Sequence, residues 1–215
     1  MSVFAVEAAT LGEGWLTTSG AILETGVVAA YDGQATRELA RLALAVEHPS
    51  SADPVIAELG DPEWLAWMHD NFFVQKDVPE LGAAKSYAIR LFNYDGAGFD
   101  QIAWVVDRLR ADPASRSATI TTLQPLSDTA YIPCVSMLDF WAPADALELV
   151  VYAHSLDFGK KAYGNLVELA HLQEHVAREL ELPVGRLLVH AKSAHVYEPE
   201  WALMAELARR REPVA

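Results

Sequence analysis

Residues 130–140 read AYIPCVSMLDF and contain Cys134, the one cysteine in a chain of 215 residues. A lone cysteine is most often a small buried hydrophobe, because thiols are among the most buried side chains. The residues behind it decide how it should be read. The β-rich run CVSMLDFWA predicts a strand, a PADA turn follows, and LELVVYAHSLDF predicts a second strand. Beyond these come His154, Ser155 and Asp157 of HSLDF, then Asn165, then His195 and Tyr197 of SAHVY.

Working outward, the clearest helix is GFDQIAWVVDRLRADP, where Ile102, Val105, Val106 and Leu109 make one face and Asp112-Pro113 end it. DPEWLAWMHDNF has helical apolar spacing behind an Asp-Pro start, and its Trp64, Trp67 and Met68 are expected in the core. NLVELAHLQEHVARELELPVG predicts a long amphipathic helix stopped by Pro183 and Gly185. A strand RLLVHAKSAHVY and a final helix PEWALMAELARRR follow. The first 34 residues, Gly- and Thr-rich with short apolar runs, suggest one or two strands, and TRELARLALAVEHP is expected to open as a helix and finish as a strand. No repeat or long linker interrupts the chain, so residues 1–215 are expected to form a single α/β domain.

Composition narrows the function. The formal charge is −14, and the 16 lysines and arginines are scattered, which argues against a phosphate-tracking surface for nucleic acid. No leader-like segment and no apolar run of roughly 18 residues is present, so a cytoplasmic protein without a membrane span is expected. One cysteine excludes an intramolecular disulfide and a Cys-based zinc cluster.

HLQEH, residues 171–175, has the H-x-x-E-H form of inverted zinc peptidases, with His171 and His175 on one helix face and Glu174 between them. A third ligand is wanting in the short segment that follows, and Leu172 and Val176 continue an ordinary apolar stripe, so no metal is expected there. A Cys134–histidine pair is another reading, but spacing alone places none of the seven histidines beside the thiol.

The ordered series IPCVSMLDF, HSLDF, Asn165 and SAHVY resembles the thymidylate synthase and pyrimidine nucleotide hydroxymethylase family. Cys134 precedes Ser155 by 21 residues and Asn165 follows Asp157 by eight, both matching that family's spacing. FDQIAWVVDRLRADPASRSATIT resembles its helix and Asp-Pro-x-Ser-Arg loop, KSYAIRLF its tyrosine segment, and the terminal EPVA its closing tail. The resemblance implies an α/β (α+β) fold with a mixed sheet packed with helices, dimerising through the sheet. It further implies folate-dependent one-carbon transfer from 5,10-methylenetetrahydrofolate to C5 of a uracil-type pyrimidine, as methyl or hydroxymethyl.

In that chemistry a thiolate adds to C6 and makes C5 nucleophilic. The resemblance makes Cys134 that thiolate, Tyr87 a helper in removing the C5 proton, and Asp157 a folate contact. Asn165 would read the ring's O4 and N3–H, as an amide can. Ser155 would lie at the substrate's phosphate or in the neighbouring shell, His195 and Tyr197 would hold the ribose, and Arg116 would reach the phosphate in a partner subunit's site.

Departures from the pattern concern the same phosphate. The family's arginine before Ser-x-Asp is His154 here, its second loop arginine is Ser117, and Val135 follows the cysteine in place of histidine. Two permanent cations are thereby lost, which weakens dianion binding and removes a charge that depresses a thiol's pKa. Glu38 and Glu58 are both candidates for a proton-relaying glutamate. A homologue that binds nucleotide without turnover is the alternative reading.

Overall fold

The computed structural model describes residues 2–31, 33–94, 96–129 and 131–210. Its elements run β1 (Phe4–Ala8), α1 (Leu11–Thr25), β2 (Val27–Tyr31), β3 (Gln34–Val46), α2 (Pro54–Leu59), α3 (Pro62–Phe73), β4 (Asp77–Val78) and β5 (Ala84–Lys85). They continue with α4 (Tyr87–Phe92), α5 (Gln101–Ala111), β6 (Ala118–Thr121), β7 (Val135–Trp141), β8 (Leu147–Asp157), α6 (Ala162–Glu179), β9 (Val184–Tyr197) and α7 (Trp201–Arg209).

Six strands follow one another across the sheet in the order β1-β3-β9-β8-β7-β6, and β2 pairs with β3 as a seventh. The sheet is mixed: β1 runs parallel to β3 and β8 parallel to β9, whereas β3–β9, β7–β8 and β6–β7 are antiparallel. The parallel β8–β9 pair needs a crossover, and α6 supplies it. The expected mixed sheet packed with helices is therefore present.

Alternation along the strands shows which face is covered. Leu147, Leu149, Val151 and Ala153 of β8 are fully buried, as are Leu187 and Val189 of β9 and Leu44 and Val46 of β3. Their in-between neighbours Val150, Tyr152, Leu188, His190, Ala43 and Ala45 are not buried. With a side-chain period of two, one face packs under helices and the other stays bare.

Two early expectations are corrected. The first 34 residues hold the two expected strands, β1 and β2, but residues 11–25 between them are helix α1, which the strand-like reading missed. Thr10 caps it by accepting from the amide of Glu13, and Trp15, Leu16 and Ile22 are buried, so tertiary packing outweighs weak propensity. Trp15 also donates its indole N–H to the Phe158 carbonyl at 2.9 Å. TRELARLALAVEHP is strand throughout β3, because pairing with β1, β2 and β9 satisfies its backbone along the whole length.

Helices α2, α3 and α5 begin where Asp53, Asp61 and Asp100 accept from first-turn amides, the first two with proline at the next position. Met68 of α3 lies against Gly164 of α6, where a Cβ would sit 3.2 Å from the Met68 Cβ, so the missing side chain sets how closely the helices approach.

A buried ion pair ties α4 to the loop before β7. Arg90 donates to both carboxylate oxygens of Asp128 at 2.8 Å and also to the carbonyls of Thr122 and Lys85 at 2.8 and 2.9 Å. Both side chains are almost wholly buried. Removing one partner strands the other charge, so Asp128→Asn is expected to lower stability by about 3–5 kcal/mol in urea denaturation. Asp77→Asn, which breaks the exposed Lys85 pair at 2.7 Å, should change it by less than about 1 kcal/mol.

Candidate active site

Cys134 immediately precedes β7, with its carbonyl accepting the His154 amide at 3.0 Å, and Val135 pairs with Ala153. That pairing sets the thiol next to the far end of β8. The parallel register then places Ser155 beside Ser193 and Asp157 beside His195, and β3 pairs Glu38 with His195 and Thr36 with Tyr197. Residues spread from 36 to 197 in sequence thus meet on four adjacent strands.

The thiol is enclosed by groups that pull in opposite directions. Burial pushes the Cys134 pKa up, while the Lys161 ammonium and a hydrogen bond from Tyr131 draw it down. Tyr131 is itself held well above the ordinary phenol range, by burial first and by the thiol second. Tyr87 is buried, stacks on Phe72 with ring centroids 4.4 Å apart, and accepts the Val135 amide on its hydroxyl oxygen at 3.0 Å. Burial raises its pKa strongly as well.

A cleft of about 280 Å³ is lined by Thr36, Glu38, His154, Ser155, Lys192 and His195, with Tyr31 and Ser193 completing it. His154 and His195 are both lowered by burial first. Lys192 adds to that lowering at His154, while Glu38 opposes it and Lys161 adds to it at His195. Lower pKa values keep both imidazoles uncharged near neutral pH. The buried Nδ1 of His154 has no hydrogen-bond partner among the described residues. His195 Nδ1 lies 3.5 Å from Ser193 Oγ, and its ring meets Tyr197 edge-on at 5.1 Å. Of the two glutamate candidates, Glu38 lines this cleft and Glu58 lines a different one with Val55 and Arg210.

A second cleft of about 270 Å³ has aromatic walls, Trp64, Tyr163 and Trp15, with Gly159, Lys160, Glu200 and Leu203 around them. Asp157 Oδ1 accepts from the amides of Gly159 and Lys160 at 3.0 and 3.2 Å. Burial raises the Asp157 pKa against these donors and the lysines. Asn165 is buried one helical turn beyond Lys161, with its amide nitrogen on Met68 Sδ at 3.2 Å.

One predicted site residue, Arg116, lies apart from this group, and so does its neighbour Ser117. Ala118 pairs with Phe140, near the end of β7 opposite Cys134, about 20 Å away at roughly 3.3 Å per residue. Exposed Arg116 and Ser117, just before that pairing, belong to the same remote end. The EPVA stretch, 212–215, lies outside the described residues. The HLQEH reading dissolves: Glu174 accepts from Ser51 N and Oγ at 2.8 and 2.6 Å, and His175 Nδ1 meets Arg178 at 3.0 Å.

Tyr131, Lys161, Lys192 and Arg90 escaped the sequence reading. Tyr131 sits three residues before Cys134 in the quoted stretch, so proximity was the available signal. The lysines read as scattered surface charge until the strand register and the α6 start bring them to the site.

With this geometry in hand, comparison with known proteins is direct. Residues 51–215 match the family described as thymidylate synthase, and the chain belongs to that family. It is 29% identical over 204 residues to a "Putative thymidylate synthase" of Methanococcoides burtonii, covering 91% of this chain and 90% of that one. It is 36% identical over 126 residues to a protein of the same description from Methanopyrus kandleri, covering 57% and 59%. It is 34% identical over 122 residues to the "Bifunctional dihydrofolate reductase-thymidylate synthase" of Leishmania major, covering 54% of this chain and 24% of that one. At the level of the family, the activity is folate-dependent methyl transfer to pyrimidine C5. Among the described residues, no helix is long and apolar enough to cross a membrane.

Because Cys134 is the chain's single thiol, its ionisation can be read without ambiguity. Lys161→Met removes the main charge that favours the thiolate, so alkylation by iodoacetamide at neutral pH should slow by roughly threefold or more, followed by mass spectrometry.

Proposed function

We propose that this protein transfers a one-carbon unit to C5 of a uracil-type ring, as methyl or hydroxymethyl, through a covalent bond from Cys134 Sγ to C6. The observation carrying this reading is the enclosure of Cys134 by Tyr131, Lys161 and the His154 end of β8. A nucleophilic thiol needs a positive, donor-rich neighbourhood to ionise, and an inert core cysteine needs neither a cation nor a hydroxyl.

Each remaining group has a task in that reaction. Lys161 and Tyr131 stabilise the thiolate before attack. Tyr87, fixed by Phe72 and the Val135 amide, holds a hydroxyl oxygen near the reacting centre, where it assists removal of the C5 proton. Asn165 reads O4 and N3–H once its amide leaves Met68, and neutral His195 with Tyr197 holds the ribose.

The phosphate site is rebuilt around a different cation. Lys192 shares the cleft with Ser155 and the neutral His154, so its ammonium stands where the family's arginine charge is missing. Glu38, facing His195, is the better placed proton-relay carboxylate.

The aromatic cleft fits a flat pterin-type ring: Trp64 and Tyr163 offer stacking faces, and the Asp157 carboxylate beside it offers an acceptor for ring N–H groups. Methylenetetrahydrofolate would supply the one-carbon unit there. Arg116 serves the phosphate of a second copy in a homodimer, with the bare sheet face as the contact.

A nucleotide-binding homologue without turnover is the second reading, favoured by the burial that raises the thiol and by the engagement of Asn165 with Met68. Incubation with 5-fluoro-2′-deoxyuridine monophosphate and methylenetetrahydrofolate separates the two. Mass spectrometry should show a ternary adduct on the peptide holding Cys134, absent in Cys134→Ser, and C5-tritiated nucleotide should release its label. Binding without adduct or release supports the non-catalytic homologue instead.

Lys192→Ala is expected to weaken nucleoside monophosphate binding roughly tenfold while leaving nucleoside binding unchanged, as read by titration calorimetry. Equal losses for both ligands would remove Lys192 from the phosphate site.

A further inference from the structure

Where α3 packs on α6, three ligand-type side chains converge without any part in the reaction above. Glu168 is buried, with its side chain only 3% exposed, and its Oε2 is approached by His69 Nδ1 at 3.2 Å from α3 and by His171 Nδ1 at 3.7 Å from its own helix. One potential ligand atom from each of the three lies within 4.8 Å of the others. The two imidazoles face each other with centroids 5.6 Å apart, and Phe73 packs 5.0 Å from each.

An ion bonded at about 2.1 Å in tetrahedral geometry sets neighbouring donors about 3.4 Å apart. The two distances to the carboxylate, 3.2 and 3.7 Å, bracket that spacing. The histidine side chains are 49% and 44% exposed, so small rotations close the remaining gap while water reaches a fourth position. Two imidazoles with one carboxylate suit zinc and neighbouring first-row ions better than magnesium or calcium, which prefer all-oxygen shells.

We propose that His69, Glu168 and His171 form a site for a divalent transition metal, zinc being the best match, that clips α3 to α6. The site is structural: it joins the two helices next to the Met68–Asn165 contact, with His69 following Met68 in sequence and Glu168 one turn beyond Asn165. The bound ion thereby fixes the spacing between α3 and the helix that carries Asn165.

The test uses the metal-free full-length protein and zinc chloride alone, with metal analysis after equilibrium dialysis and cobalt substitution as a second readout. One equivalent should bind at a dissociation constant on the order of 10 µM or tighter, with the visible absorption of a low-coordinate cobalt site. His69→Ala and His171→Ala, both at half-exposed positions, should fold by circular dichroism and bind at least tenfold more weakly. His175→Ala and Cys134→Ser should bind like the parent. Failure to take up zinc, or uptake unchanged in both His69→Ala and His171→Ala, overturns the site. Because the readout is the ion itself, the result is independent of whether the chain transfers one-carbon units.

Discussion

The buried guanidinium of Arg90 is the constraint around which the reacting end of the molecule is organised. A charge taken out of water must be matched by fixed partners, and here Asp128, Thr122 and Lys85 provide them together. Asp128 Oδ2 also accepts the Gln124 amide at 2.7 Å, so the loop cannot move without undoing several charge-assisted bonds at once. That loop leads to Tyr131 and Cys134, while Arg90 itself lies one turn after Tyr87. One desolvated cation thereby fixes Cys134 and both tyrosines in a single frame.

Around the thiol and the neighbouring cleft the nearby positive charges are lysines. Where the chain lacks arginines at the positions of His154 and Ser117, positive charge arrives from Lys161 at the start of α6 and Lys192 on β9. A lysine ammonium is a more strongly hydrated point charge than a guanidinium and recognises a phosphate with less directional demand. On the proposed function, the phosphate end of the site would tolerate more variation in ligand orientation than a bidentate arginine clamp.

How much of this could be read in the sequence depended on the range of the interaction that decides each feature. α3, α5, β7, β8 and α6 were legible because their caps and apolar periods are local. α1 was not, since its Gly- and Thr-rich residues are helical chiefly through the burial of Trp15 and Ile22. β3 was misread in its first half because only pairing with β2 and β9 makes TRELARL extended. The Cys134, Asp157 and His195 grouping was legible as an ordered series, whereas Lys161 and Lys192 were not, because only the start of α6 and the strand register bring them there; the register also separates Glu38 from Glu58. The His69–Glu168–His171 group was hidden because the packing of α3 on α6 assembles it, with HLQEH holding one of its two histidines.

Because Thr36, Cys134, Asp157 and His195 meet only through the pairing of β3, β9, β8 and β7, the site has no existence in any fragment of the chain. Contacts of such long sequence separation close late and at high entropic cost during folding. A ligand held there would consequently draw the equilibrium toward the whole folded chain instead of steadying one lobe. Occupancy of the cleft and resistance to proteolysis then become two measures of the same population.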